Sequence, residues 1–379
     1  RIYKENNRRE IQLIIILSIR CVKAKPNSMN KHISLPDQIV SAIHSVAGVG
    51  PVGLHEPTFA GNEWLYVKEC LDSTFVSSVG KFVDRFEKDL ATYTGAKHAV
   101  AVVNGTAALH ISLLLAGVKA NDEVLVPALT FIATANAISY CGATPHFVDS
   151  EQQTLGMDPE ALRNYLQAST EQHNKICVNR KTGNRIRAMV PVHIFGHPCD
   201  LDGLLEVAKE FNLIMVEDAA ESLGSLYYKK PVGGFGKVGA FSFNGNKIIT
   251  SGGGGAITTN LIRLGDRAKF LTTTAKQTHP YKYIHNEIGY NYRMPNLNAA
   301  LACAQLEQLN LYLEKKRILA KEYEFFFKNN GIKFRKETKN TKANYWLMCI
   351  ELDNKNDRNS FLKYTNHNKI TTRPIWELM

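Results

Sequence analysis

From about residue 80 to residue 218 the chain alternates between helical and strand-like hydrophobic periods. KFVDRFEKDLATY (81–93) places Phe82, Phe86, Leu90 and Tyr93 at helical spacing, and Gly95 follows as a stop. AVAVV (99–103) reads as a short buried strand, TAALHISLLLAG (106–117) as an apolar helix closing on Gly117, and EVLVP (123–127) as a strand. TFIATANAISYCG (130–142) predicts a helix and TPHFVD (144–149) another strand. PEALRNYLQ (159–167) opens on Asp158 and Pro159, an N-cap followed by proline in the first turn. KICVNRKTGNRIR (175–187) is a polar loop or hairpin. AMVPVH (188–193) and LIMVED (213–218) then predict strands flanking the helix LDGLLEVAKEF (201–211). This alternation implies an α/β fold, with a mostly parallel central sheet sandwiched by helices.

From about residue 295 the pattern changes. Residues 295–331 read as one long helix, or two, ending at Gly331. A short strand IKFRK (332–336), the segment YWLMCIEL (345–352), a helical DRNSFLKYTN (357–366) and KITTRPIW (369–376) follow, a small C-terminal α+β domain. The expected divisions are a leader at 1–28, a large domain at 29–294, and a linking helix with its small domain at 295–379. Leu13–Ile19 after Arg8 and Arg9 has the outline of a signal peptide, but Arg20 interrupts it and no cleavage site follows. Sequence upstream of a start at Met29 is the preferred reading, with the small domain cut short and a cytoplasmic body.

The net charge of +11 invites a nucleic-acid partner until it is located. Residues 1–28 carry +5 and residues 315–379 carry +8, leaving −2 on the stretch between. No basic–aromatic cluster accompanies the charge, so neither nucleic acid nor membrane is expected as a partner. The seven cysteines include no CxxC pair, so neither a zinc site nor a disulfide framework is expected.

Two glycine strings match GxGxxG, at Gly48–Gly53 and Gly234–Gly239. A dinucleotide site needs a strand before and a helix after. The first string follows a helical stretch and contains Pro51, and the second runs into the strand-like AFSF.

Three other segments carry chemistry. Asn104-Gly105-Thr106-Ala107 joins a strand to a helix, the outline of a phosphate site at a positive helix end; a plain N-cap by Asn104 or Thr106 is the alternative. VEDAAESLGS (216–225) puts Glu217 and Asp218 at a strand end, where a carboxylate can keep a heterocyclic nitrogen protonated or simply cap the next helix. AFSFNGNKIITSGGGGAI (240–257) holds Lys247 in a polar turn, as a nucleophile or as a surface lysine, before Gly252–Gly255, which leave room for a planar ligand. A phosphate cradle, an acidic strand end and a loop lysine are the three anchors of pyridoxal 5′-phosphate (PLP).

NGTAAL (104–109), PALTFIATANAI (127–138), VHIFGHPCDL (192–201), VEDAAESLG (216–224), SFNGNK (242–247), GYNYRMPNLNAAL (289–301) and TTRPIW (371–376) together resemble the DegT/DnrJ/StrS family of sugar aminotransferases, of PLP fold-type I. The resemblance implies Lys247 at the Schiff-base position, Asp218 on the pyridine nitrogen and Glu221 beside the phenolic oxygen. It implies Gly105, Thr106, Ala107 and Ser242 at the phosphate, with Asn244 nearby, Phe131 on the ring face or else in a helix core, and His193 near the cofactor or else a satisfied core histidine. Asn291 would reach the phosphate of a neighbouring subunit in a homodimer with shared active sites. Arg293 would meet a substrate anion or form a surface ion pair. No metal is implied. HEPTFAGNEWLYVKECLDSTFVSSVGKFVDRFE (55–87) looks most like the branch aminating UDP-linked 4-keto-6-deoxy-N-acetyl sugars with glutamate as donor, for surface glycans. GDP- or dTDP-keto-sugar aminotransferases, a PLP-dependent sugar dehydratase and a regulatory relative are the alternatives.

Overall fold

The computed structural model describes Gln12–Ile16 and residues 34–379, and the chain divides into two compact units. One comprises Pro57–Glu314, Glu337–Trp346 and Trp376–Met379; the other takes Lys315–Lys336, Leu347–Ile375 and the chain up to Glu56. The units therefore interleave along the sequence, whereas a single cut at 295 was expected. Residues 295–331 give one helix, Asn296–Asn329, that belongs to the first unit up to Glu314 and to the second beyond it.

The larger unit is built on a main sheet of seven strands: β1 (His98–Val102), β2 (Glu123–Pro127), β3 (Thr144–Val148), β4 (Arg185–Met189), β5 (Ile214–Asp218), β6 (Val238–Ser242) and β7 (Gly255–Thr259). Their order is β1-β7-β6-β5-β4-β2-β3. Neighbours from β6 through β3 pair in parallel, and β7 runs antiparallel to both β6 and β1. The segment read as loop or hairpin is a hairpin, Thr170–His173 with Ile176–Asn179, joined antiparallel to β4.

Period-two alternation explains why these strands are apolar throughout. Val124, Val126 and Val216 face one hydrophobic cluster, while Leu125 and Met215 face another on the opposite side. Helix α1 (Lys81–Thr94) buries Phe82, Phe86 and Leu90 and ends on Gly95 at φ 67°, a left-handed cap suited to glycine. Helix α2 (Gly105–Leu115) is apolar on nearly all sides because it is nearly wholly buried. Helix α3 (Ile132–Tyr140) starts two residues later than expected, which leaves Phe131 at its N-cap and outside the helix. Strand β4 likewise stops at Met189 rather than running to His193, since Pro191 has no N–H to continue the ladder. Beyond the proline, pairing resumes when the Asp218 amide donates to the Pro191 carbonyl and the His193 amide to the Asp218 carbonyl.

In the smaller unit, Lys333–Phe334, Met348–Leu352, Gln12–Ile16 and Arg373–Pro374 form a four-stranded sheet in that order. Gln12–Ile16 pairs antiparallel along Met348–Leu352. The leader reading of 1–28 otherwise lies outside the described residues. Among the described residues no helix is long and apolar enough to cross a membrane.

Candidate active site

All the candidate residues belong to the larger unit, and most cluster at the C-terminal ends of the parallel strands, where open α/β sheets bind ligands.

β5 ends on two consecutive carboxylates that point to opposite faces. Asp218 is buried; its Oδ2 accepts from Thr134 Oγ1 at 2.7 Å and its Oδ1 from the Ala220 amide at 3.1 Å. Among the described residues it is in no ion pair. Burial pushes its pKa up, opposed by Thr134, the Ala220 amide and the charge of Lys247. A buried carboxylate so placed gains from a cation, and a protonated pyridine nitrogen is one.

Glu217 has no such need. Its Oε1 accepts from the amides of Phe235 (2.7 Å) and Gly236 (2.6 Å), and its Oε2 from the Gly233 amide (2.8 Å) and His193 Nε2 (3.1 Å). This explains the second glycine string: it is a loop folded around a carboxylate, not a nucleotide cradle. Gly233 sits at φ 86° with the Phe241 ring where a side chain would stand. The first string follows the helix Leu35–Ala47, which likewise excludes a strand–glycine–helix fingerprint.

His193 is fully buried, and its Nδ1 accepts from the Cys199 amide at 3.2 Å. The proton therefore sits on Nε2 and is donated to Glu217. Both ring nitrogens are used within the protein, which fits the core-histidine reading of His193, beside the site carboxylate Asp218.

Lys247 lies in the turn after β6, with its Nζ 3.4 Å from Glu221 Oε1 and 3.9 Å from the centre of the Trp346 ring. It is mostly buried, so the surface-lysine reading does not hold. Glu221 Oε2 accepts from the Phe195 amide at 2.8 Å, and Phe195 adopts a left-handed φ of 56° to present it. Burial raises Glu221 to about 7, against the pull of Lys247 and of that amide.

At the start of α2, Asn104 is the N-cap and its Oδ1 accepts from the Ala107 amide at 2.8 Å. The expected phosphate contact of the Ala107 amide is thus already occupied. The amides of Gly105 and Thr106 have no acceptor among the described residues, and they stand at the positive helix end. A side chain on Gly105 would come within 2.8 Å of Ser242 Cβ, so only glycine brings this helix end against Ser242. Two orphan amides beside two hydroxyls, Thr106 and Ser242, suit a phosphate.

The string Gly252–Gly255 divides: nothing lies closer than 3.8 Å to where a side chain on Gly252 or Gly253 would stand, whereas Gly254 and Gly255 are closely packed. A side chain on Gly255 would strike the Asn104 carbonyl at 2.5 Å, and one on Gly254 would strike Ser251. These glycines let β7 start against the Asn104–Gly105 turn. Asn244 is exposed and reaches Asn246 Oδ1 at 3.4 Å.

Phe131 is 53% exposed, which excludes the helix-core reading, and its ring is 5.8 Å from that of Trp376. Asn291 is exposed, and its Oδ1 accepts from Arg293 Nε (3.3 Å) and Nη2 (3.0 Å), which directs the Asn291 NH2 away from Arg293. Arg293 is in no ion pair among the described residues. The sequence reading missed Thr134, Phe195, Trp346 and Trp376 as individual neighbours of the site. Thr134 lies one helical turn after Phe131, a spacing that could have flagged it. Trp346 is 99 positions from Lys247 and no spacing marks it. Among the described residues no group of His, Cys, Asp and Glu could hold a metal.

A mostly parallel sheet with a buried strand-end aspartate, a loop lysine and an orphan helix N-terminus defines a PLP enzyme of the aminotransferase class. Residues 57–379 match the model of the DegT/DnrJ/EryC1/StrS aminotransferase family, and the chain belongs to that family. It is similar to the GDP-perosamine synthase of Escherichia coli O157:H7, 39% identical over 325 residues that cover 86% of this chain and 84% of the relative. The GDP-perosamine synthase of Caulobacter vibrioides is 37% identical, covering 86% and 85%. Among solved structures, S. venezuelae DesV in complex with a ketimine intermediate superposes with a TM-score of 0.68 at 29% identity, covering 78% of this chain and 75% of that one.

Proposed function

We propose that this aminotransferase transfers the amino group of glutamate to the C4 ketone of a GDP-linked 4-keto-6-deoxy sugar. The observation that carries the aminotransferase site is the convergence of Lys247, Asp218 and the free amides of Gly105 and Thr106 at one sheet edge. The GDP-perosamine synthases among its relatives favour GDP over the UDP sugars suggested by residues 55–87. Lys247, in place of the histidine of the dehydrating subfamily, favours amination over dehydration.

When bound, PLP supplies an aldehyde that takes up an amine and a ring that accepts the electron pair left when a proton departs. Gly105, Thr106 and Ser242 hold its phosphate, and Asp218 keeps its ring nitrogen protonated. Phe131 covers a ring face and Glu221 neighbours the phenolic oxygen. Lys247 would anchor the aldehyde, and its amine, a base when free and an acid once protonated, would move the proton that amino transfer requires. His193 acts at a distance, by holding Glu217. The NH2 of Asn291 serves the phosphate of a partner subunit in a homodimer, and Arg293 orients that amide, a narrower role than contact with a substrate anion.

The test is incubation with PLP, glutamate and GDP-, UDP- and dTDP-4-keto-6-deoxy sugars, read by mass. The GDP sugar is expected to exchange its ketone oxygen for an amino group. Amination of only the UDP or dTDP sugar, or loss of water without gain of nitrogen, would overturn the proposal.

A further inference from the structure

Residues 337–346 return to the larger unit after an excursion into the smaller one, and their end is fastened by one side chain. Asn344 is 1% exposed. Its Nδ2 donates to the carbonyls of Glu221 and Leu223, both at 2.9 Å, and its Oδ1 accepts from the Trp346 amide at 2.8 Å. Its own amide donates to Ser225 Oγ at 3.0 Å, and Ser225 Oγ donates in turn to the Gly196 carbonyl at 2.7 Å. A side chain at Gly196 would fall 1.7 Å from Asn344 Oδ1, so residue 196 is held to glycine by this clasp. Every polar atom of the Asn344 amide is spent on the Glu221–Ser225 turn or on Trp346.

Trp346 then touches Lys247 at two points. Its Nε1 donates to the Asn246 carbonyl, the peptide oxygen immediately before Lys247, at 2.5 Å. Its ring face lies 3.9 Å from Lys247 Nζ. A tryptophan that only filled space would need neither contact; together they fix the lysine's backbone and its amine. From this geometry we infer that Asn344 and Trp346 form a positioning pair that aims the Lys247 amine, with Asn344 setting Trp346 and Trp346 setting Lys247. The inference rests on the proposed role of Lys247.

The test separates aiming the lysine from shaping the pocket. PLP is captured covalently: the lysine amine condenses with the aldehyde, one water leaves, and borohydride then adds hydride to the C=N bond. Pyridoxamine phosphate has no aldehyde and binds without bonding to lysine. Capture rate and pyridoxamine phosphate affinity are measured for wild type, Trp346→Phe, Trp346→Leu and Asn344→Ala, each first confirmed folded by circular dichroism. The expected result is capture slowed by ~10-fold or more in Trp346→Leu and Asn344→Ala, less in Trp346→Phe, with pyridoxamine phosphate affinity within about twofold of wild type. Turnover should fall in kcat with KM for the sugar little changed. Equal losses in capture and in pyridoxamine phosphate binding, or no loss in either, would overturn the positioning role. If Trp346→Leu does not fold, Trp346→Phe and Asn344→Ala decide by the same criteria. Mass mapping of the reduced wild type keeps the two claims apart. An adduct away from Lys247 defeats the role given to that lysine, whereas an adduct at Lys247 with variants indistinguishable from wild type defeats the positioning pair alone.

Discussion

Glu217 and Asp218 are neighbours on one strand, both buried, yet they are provided for very differently. Glu217 receives four hydrogen bonds, three from backbone amides and one from His193. Asp218 receives one hydroxyl and one amide. The first carboxylate is finished by the fold; the second is left short of a positive partner. Burial costs a carboxylate so much that such a shortfall survives only where a ligand completes it. A carboxylate of the site is thus recognised by what the protein withholds from it.

Removing each charge should separate the two roles. Asp218→Asn is expected to lower turnover by ~10³-fold while leaving the denaturation midpoint undiminished, checked by steady-state kinetics and urea unfolding. Glu217→Gln should do the reverse, costing about 2–4 kcal/mol of stability in urea unfolding because it removes charge-assisted bonds to buried amides. Its folded fraction should turn over within several-fold of wild type. If both variants lost activity and kept stability, the contrast between the two carboxylates would collapse.

Glu221 sharpens the comparison through pH. Its folded pKa is raised to about 7, so below that value the folded protein keeps a proton that the unfolded chain releases near the ordinary carboxylate range. Stability of the cofactor-free protein should therefore fall as pH rises from about 4.5 toward 7, by an amount on the order of 2–3 kcal/mol. Glu221→Gln should flatten that part of a stability–pH curve, and an unchanged curve would place the pH dependence elsewhere. The smallest effect is expected at the exposed end of the site. Phe131→Leu should weaken PLP binding by ~5-fold, about 1 kcal/mol, read by equilibrium titration.

The sheet and its helices are legible in the sequence because each strand is a compact apolar run and each helix has its own period. Lys247, Asp218 and the Asn104–Ala107 turn stand out in the sequence because each follows a strand end within a few residues. Legibility ends where local pattern and tertiary use part company. Gly254 and Gly255 look like part of a ligand loop but serve close packing, against Ser251 and the Asn104 carbonyl, which only the fold reveals. By pattern alone Phe131 could equally be one more apolar position of a core helix, and only the N-cap position takes it out of the helix. Trp346, inside an apparent strand, gives no local sign that its indole meets Lys247, because the contact depends on chain returning from another unit. The pairing of Gln12–Ile16 with Met348–Leu352 is a long-range register no local period encodes.

The central claim is that Lys247, opposite Asp218, anchors the cofactor. Borohydride reduction of the PLP-loaded protein, followed by peptide mass mapping, tests it most directly. The account predicts a single reduced PLP adduct on the peptide containing Lys247, absent from Lys247→Ala. An adduct on any other lysine, or one that persists in Lys247→Ala, would contradict it.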